Sequence, residues 1–245
     1  MELKIQLNEL KKKLEENKDD FLISMLLSDK IKEIEIKLKG KKKKRIANRT
    51  IKYLTNDEFS EVINEFDKIK KLKNTNIKTQ NFNFFKRDKI ILLLAYECGL
   101  RASETSNLRK DDFHEKNREI FCRRLKGSRN NTVKLTISTS KLLKTYLLEN
   151  PNDTNYIFLS RQKNRLTRQQ LTNICKKYFA LAGISKEKQH FHTLKHTAGV
   201  HLAEQGLDIK EVQYILGHRN VENTMIYFDF TTKQQKVLYD KLGRN

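Results

Sequence analysis

The chain has 245 residues, with 51 Lys+Arg against 30 Asp+Glu and a formal net charge of +21. It carries a single proline, eight glycines and three cysteines, and no run of about 18 apolar residues of the kind that spans a membrane. This balance excludes a helical membrane protein, a disulfide-framework domain and a turn-rich all-β fold, and the surplus of positive charge points to a polyanionic partner, nucleic acid first.

In chain order, Leu3, Leu7, Leu10 and Leu14 form the stripe of an amphipathic helix. Asn17-Lys18-Asp19-Asp20 interrupts it, and Leu27, Ile31, Ile34 and Leu38 form a second stripe. Residues 1–40 therefore read as a helical hairpin, with one long helix as the competing reading. The opening, MELKIQLNELKKKLEENK, has no apolar signal-peptide core. Cys98, Cys122 and Cys175 stand apart in apolar surroundings and are expected as buried free thiols, so a cytoplasmic, nucleoid-associated location is expected.

Residues 37–49 carry eight positive charges and no acid, and Gly40 stops the preceding helix. Lys41, Lys42, Lys43, Lys44, Arg45 and Arg49 are the candidate phosphate contacts of this linker. A domain boundary is expected here: a helical segment with its basic linker over 1–49, a larger domain over 50–230 and a C-terminal helix within 231–245.

Thr55-Asn56-Asp57-Glu58 has the form of a capping box and opens a helix whose apolar face is Phe59, Ile63 and Phe66. Residues 68–85 read as a loop with helical ends and 86–98 as a buried helix. Segments 119–125 and 131–137 alternate as strands of a β-hairpin around Gly127-Ser128-Arg129-Asn130. Helices are expected over about 139–149, 167–182, 191–205, 208–216, 221–229 and 232–242. The expected fold is mainly α with a small antiparallel β-sheet, an α+β arrangement.

Five segments carry candidate chemistry. They are Gly99-Leu100-Arg101-Ala102-Ser103-Glu104 after the buried helix, Lys126-Gly127 in the hairpin, His192-Thr193-Leu194-Lys195-His196, Leu216-Gly217-His218 at a helix end, and Tyr227 nine residues beyond His218. His192 and His196 lie one turn apart, but no HExxH glutamate accompanies them, so neither a metal nor another cofactor is expected.

This ordered set resembles the tyrosine recombinases of the phage-integrase family over roughly residues 50–242. The resemblance makes 50–230 a catalytic DNA-breaking and rejoining domain. It assigns catalytic places to Arg101, Lys126, His192, Lys195, His218 and Tyr227, with Lys134 or Arg129 as alternatives to Lys126. Glu104 matches a supporting acid. Lys195 is the departure, because the family pattern usually has arginine there. Tyr214 and Tyr239 are weaker nucleophile candidates, and His190, His196 and His201 read as ordinary polar or packing residues.

The residue types suit the chemistry. A tyrosine phenol attacks a phosphodiester and can leave again, conserving the bond for religation. Arginine, lysine and histidine supply charge-assisted hydrogen bonds to the phosphorane. A hairpin lysine can protonate the leaving 5′-oxygen, and His192 is suited to accept the Tyr227 proton or to hold the phosphate. The resemblance further implies double-stranded DNA as partner, a 3′-phosphotyrosyl intermediate and a homotetramer on two DNA sites. The C-terminal helix would dock on a neighbouring protomer. A relaxing topoisomerase with the same chemistry, and a DNA-binding architectural or regulatory protein with weakened catalysis, are the alternatives.

Overall fold

The computed structural model describes residues 2–16, 27, 30–31, 51–72, 79–125, 127–228, 240 and 243. The candidate residues Lys41–Arg45, Arg49, Lys126 and Tyr239 lie outside the described residues, as does the expected helix over 232–242 apart from Asp240.

The chain divides into two compact units, Met1–Thr50 and Ile51–Asn245. The first contains α1 (Glu2–Glu16), along which Leu10 and Leu14 are half-buried among exposed charged neighbours.

The second unit opens with α2 (Asn56–Leu72). The expected capping box is formed: Glu58 N donates to Thr55 Oγ1 at 3.2 Å and Thr55 N to Glu58 Oε2 at 2.8 Å. Next comes α3 (Thr79–Glu97), which begins earlier than the sequence pattern suggests. Phe85 packs against the core beneath the Lys177 ammonium, so the helix gains burial by extending backwards. Ile90, Ile91, Leu92, Leu94 and Ala95 are fully buried, and α3 is the central rod of the unit.

A short helix, α4 (Ala102–Ser106), leads to a three-stranded antiparallel sheet of β1 (Phe113–His114), β2 (Glu119–Cys122) and β3 (Asn131–Lys134), in that spatial order. Phe113 pairs with Ile120, Glu119 with Lys134 and Cys122 with Asn131. Both hairpin strands are shorter than their alternation suggests. Arg124 leaves the ladder because its amide bonds the Asn130 side chain at 2.8 Å. Thr136 becomes the N-cap of α5 (Ile137–Glu149), with the Glu97 carboxylate accepting from its amide at 2.9 Å.

The remaining described helices are α6 (Arg168–Leu181), α7 (Phe191–Glu204), α8 (Ile209–Leu216) and α9 (Glu222–Met225). Phe191, Leu194, Lys195, Ala198, Val200 and His201 are all buried, so α7 is enclosed on nearly every side. The expected helix over 221–229 is only one turn of helix. The chain then turns so that Tyr227 faces inward, joining Ala198, Val200, Ala203, Val212 and Leu216 in a second apolar cluster.

Candidate active site

The site is assembled where the end of α3, the β2–β3 hairpin, α7 and the end of α8 meet. Gly99 closes α3 with φ +55°, and Leu100 N donates back to Ala95 O at 2.9 Å. A Cβ on Gly99 would lie 2.3 Å from Leu216 Cδ2, so this turn rests directly on the last residue of α8. The close approach brings the Gly99–Glu104 segment against the Leu216–His218 segment.

Arg101 sits at the N-cap of α4. Its amide donates to Glu104 Oε2 at 2.9 Å, and its guanidinium donates to Glu104 Oε1 at 2.7 Å and Ser128 Oγ at 3.1 Å. The Arg101 side chain is 29% exposed and that of Glu104 is fully buried. One edge of the guanidinium is therefore fixed while another faces solvent. Burial alone would raise the Glu104 pKa, but the Arg101 amide, Lys195, the Arg101 guanidinium and Arg124 together hold it lowered.

Lys195 is not an open cation. Its side chain is enclosed, and its ammonium donates to Gly99 O and Leu216 O, each at 2.7 Å. Two of its three donors thus tie the arginine-bearing turn to the histidine-bearing turn. Burial, then Arg124 and Arg101, lower its pKa well below that of an ordinary lysine, against the pull of Glu104. Sequence reasoning expects Lys195 to stand in for an arginine facing the phosphate. In the structure two of its donors are engaged with backbone carbonyls.

Arg124 is the residue that the motif reading missed. Its guanidinium is fully enclosed and donates to Cys98 O at 2.8 Å, Ile215 O at 2.7 Å, Gly99 O at 3.1 Å and Asn131 Oδ1 at 2.9 Å. A Cβ on Gly217 would lie 2.6 Å from Arg124 Nε, so the αL turn at Gly217, φ +65°, is pressed onto this side chain. The signal was available: Ile120, Cys122 and Arg124 share one face by the two-residue period of a strand, and the first two are core residues.

His218 follows that turn, buried, with Nδ1 3.0 Å from Thr224 Oγ1. Burial and the nearby cations Lys195, Arg101 and Arg124 lower its pKa to about 3. Its ring lies nearly parallel to that of Tyr227, with centroids 6.3 Å apart and an interplanar angle of 16°. Tyr227 is 3% exposed, and its hydroxyl is 3.1 Å from His196 Nδ1. Burial pushes the phenol pKa up, while the Arg101 charge acts in the opposite sense.

His192 opens to solvent, its ring edge-on to His196 at 4.4 Å between centroids. Desolvation of its inner side, with Lys195 and Arg101, lowers its pKa. Among the described residues, His192 and His196 belong to no group of three or more His, Cys, Asp or Glu able to hold a metal ion. Lys134 and Arg129 are both exposed, and Arg129 N donates to Gly217 O at 3.0 Å. His201 bridges Tyr96 Oη and Leu54 O, both at 2.9 Å, and serves packing. Tyr214 is 59% exposed, with its hydroxyl on Thr132 O.

Arg101 borders two open hollows. One is lined by Arg129, Lys210, Arg219 and Asn223, the other by Leu125, Arg168, His190 and His192. Cations therefore flank the arginine on both sides.

The second unit is thus a helical domain with a three-stranded sheet, closed around an arginine, a lysine, histidines and an inward tyrosine. Residues 52–234 match the model of the phage integrase family, and the chain belongs to that family. It is 32% identical over 159 residues to the tyrosine recombinase XerA of Thermococcus kodakarensis, covering 64% of this chain and 55% of that protein. It is 29% identical over 203 residues to the XerA of Pyrococcus horikoshii, covering 82% and 64%. A crystal structure of XerA recombinase matches with a TM-score of 0.63 at 26% identity, over 77% of this chain and 64% of that one. The chain thus spans less than two thirds of the length of these relatives. Among the described residues no helix is long and apolar enough to cross a membrane.

Proposed function

We propose that the protein is a site-specific DNA recombinase or integrase that cleaves and rejoins double-stranded DNA through a 3′-phosphotyrosyl link to Tyr227. The observation that carries this reading is the seat of Tyr227: its phenol meets His196, its ring lies along His218, and Arg101 acts on it electrostatically. The XerA relatives are named as tyrosine recombinases, which agrees with it.

In this reading the scissile phosphate lies over the free edge of Arg101. Arg101 and His218 donate to its non-bridging oxygens, and His192 approaches from the solvent side. Lys195 contributes charge from below and its remaining donor, while its two backbone bonds keep Arg101 and His218 in register. Lys126 protonates the leaving 5′-oxygen. The side-chain cations supply the electrostatic stabilisation, so cleavage proceeds in the presence of a chelator. Arg129, Lys210, Arg219 and Arg168 track the phosphates on either side, and the basic run 37–49 supplies further phosphate contacts. The domain limits are those read from sequence: 1–49, 50–230 and 231–245. A tetramer on two DNA sites, acting in the cytoplasm on the nucleoid, is the implied working form.

The test is a covalent adduct on suicide duplexes, nicked near the expected cleavage position and drawn from the DNA flanking the gene. The unaltered chain should form an adduct resistant to denaturant, and Tyr227→Phe should form none while binding DNA within a few-fold. An adduct that maps to Tyr214 or Tyr239 would move the nucleophile.

One observation favours a second reading. Lys195, in the place of the family arginine, is spent on two carbonyls. A DNA-binding architectural protein with weakened catalysis fits that geometry, and it predicts tight binding with no adduct.

A further inference from the structure

We propose that His196, which the motif pattern leaves to packing, is the base that takes the phenolic proton of Tyr227. The inference rests on the recombinase reading above and adds a catalytic residue to it. His196 Nδ1 is 3.1 Å from Tyr227 Oη, the hydrogen-bond distance required for direct proton transfer. His192, the residue that motif order favours for this task, instead stands edge-on to the His196 ring, with centroids 4.4 Å apart.

The seat is built for this contact. Gly199 lies three residues after His196 on α7, so the two face the same side of the helix. A Cβ there would come within 2.6–2.7 Å of three ring atoms of Tyr227. The bare backbone at Gly199 lets the ring lie against α7, which sets the hydroxyl at His196. The parallel His218 ring covers the tyrosine from another side.

The charge environment keeps the acceptor atom unprotonated, while making the ring a weak base. Burial, with His192 and Lys195, lowers the His196 pKa to about 4, so at neutral pH its ring is uncharged. With the proton on Nε2, Nδ1 offers a lone pair to the phenol. Burial of the phenol opposes its ionisation in the free protein. Attack therefore couples to proton transfer as negative charge builds on the phosphate nearby. The step balances: the Tyr227 O–H proton passes to Nδ1, the Oη–P bond forms, and the P–O5′ bond breaks. The 5′-oxygen is protonated by the general acid. On religation the deprotonated general acid takes the proton of the attacking 5′-hydroxyl, the O5′–P bond forms, the P–Oη bond breaks, and Nδ1 returns its proton to Oη.

The experiment is single-turnover cleavage of the same nicked duplexes by the full chain. His196→Asn keeps an acceptor atom near the Nδ1 position but cannot hold a proton. It should cleave about 10²–10⁴-fold more slowly, the usual range for general acid–base catalysis, with DNA affinity unchanged. Replacing Tyr227 by a fluorinated tyrosine with a more acidic phenol should restore most of that loss in His196→Asn, and change the unaltered chain little. A residue that only seats the ring would give no such selective rescue. If His196→Asn does not fold, the unaltered His196 chain still decides. Its rising pH–rate limb should stay in place on fluorination if His196 is the base, and move to lower pH if the phenol ionises to solvent. Wild-type cleavage by His196→Asn, loss without fluorotyrosine rescue, or a limb that follows the phenol would each overturn the assignment. Absence of any adduct from the unaltered chain would overturn the recombinase reading as well, so the two failures are distinct.

Discussion

Gly199 and Tyr227 are in direct contact, the tyrosine ring lying where the side chain of any other residue on that turn of α7 would begin. Gly199→Ala sets two effects against each other. Alanine is favoured over glycine inside a helix by about 1 kcal/mol, while forcing a methyl into a packed interior typically costs about 1–3 kcal/mol. Stability should therefore change little or fall by up to about 2 kcal/mol in urea unfolding. Cleavage should fall far more, because a shift of about 1 Å at a reacting atom can cost about 10²-fold. A variant with full adduct formation would show that Tyr227 does not react from this seat.

The second prediction concerns Lys195. Its ammonium joins Gly99 O to Leu216 O. Gly99 O also accepts from Arg124, so removal of the charge leaves mainly the Leu216 carbonyl without its partner. Lys195→Met keeps the aliphatic stem and removes the donors, and should destabilise the protein by about 1–3 kcal/mol, the cost of one unpaired buried group. Lys195→Ala adds a cavity and should lose more. A Lys195→Met protein as stable as the unaltered chain would mean that repulsion from Arg101 and Arg124 outweighs the two bonds.

How much of this site was legible in the sequence differs residue by residue. The order and spacing of Arg101, His192 and His218 were readable, because each marks an element boundary or a turn that local pattern also predicts; Tyr227 was read only from its spacing after His218, within an expected helix that ends at Met225. The mostly helical fold with one small sheet was readable for the same reason. The depth of Lys195 was not. Helical spacing says which residues share a face of α7, but not that both faces are covered. That follows from α3 and α8 packing on it, a tertiary fact. Likewise, β1 is two residues long, below the length at which alternation means anything. His196 looked ordinary because its partner, Tyr227, is 31 residues away in sequence.

The third prediction is a pH dependence. Folding lowers the pKa of His218 to about 3 and of His196 to about 4, from an ordinary value of 6.5. The unfolded chain therefore takes up protons below about pH 6.5 that the folded chain refuses, and stability falls as pH drops through that window. Glu104, with its lowered pKa, adds a further loss below its ordinary 4.5, whereas Asp88, raised by burial, works the other way. Urea midpoints measured between pH 7 and pH 4.5 should fall steadily. His218→Asn, which keeps a polar atom for Thr224 but no titrating ring, should flatten that slope. Parallel curves for the two proteins would contradict the assignment of the window to His218.

The last prediction concerns Arg124, which binds the end of α3 to the end of α8 from inside the hairpin. Its donors reach the carbonyls of Cys98, Gly99 and Ile215 and the side chain of Asn131, and its charge stands 3.4 Å from Glu104. A lysine there has three donors on one point and a shorter reach. It cannot span acceptors that the flat guanidinium meets along its edges. Arg124→Met removes the donor to Cys98 O and Asn131 Oδ1, while Gly99 O keeps Lys195, Ile215 O keeps Asn131 Nδ2, and Glu104 keeps only Arg101 as a close cation partner with a direct bond. The expected loss is about 3–5 kcal/mol, the scale of breaking a buried ion pair. Arg124→Lys should recover part of it. Since Arg124 lies beneath the site, Arg124→Lys should retain Tyr227 as its only point of DNA attachment while cleaving more slowly, because Arg101 and His218 lose their common support. Unfolding curves of Arg124→Met that overlay the unaltered protein would show that Lys195 and Asn131 hold the two turns together without it.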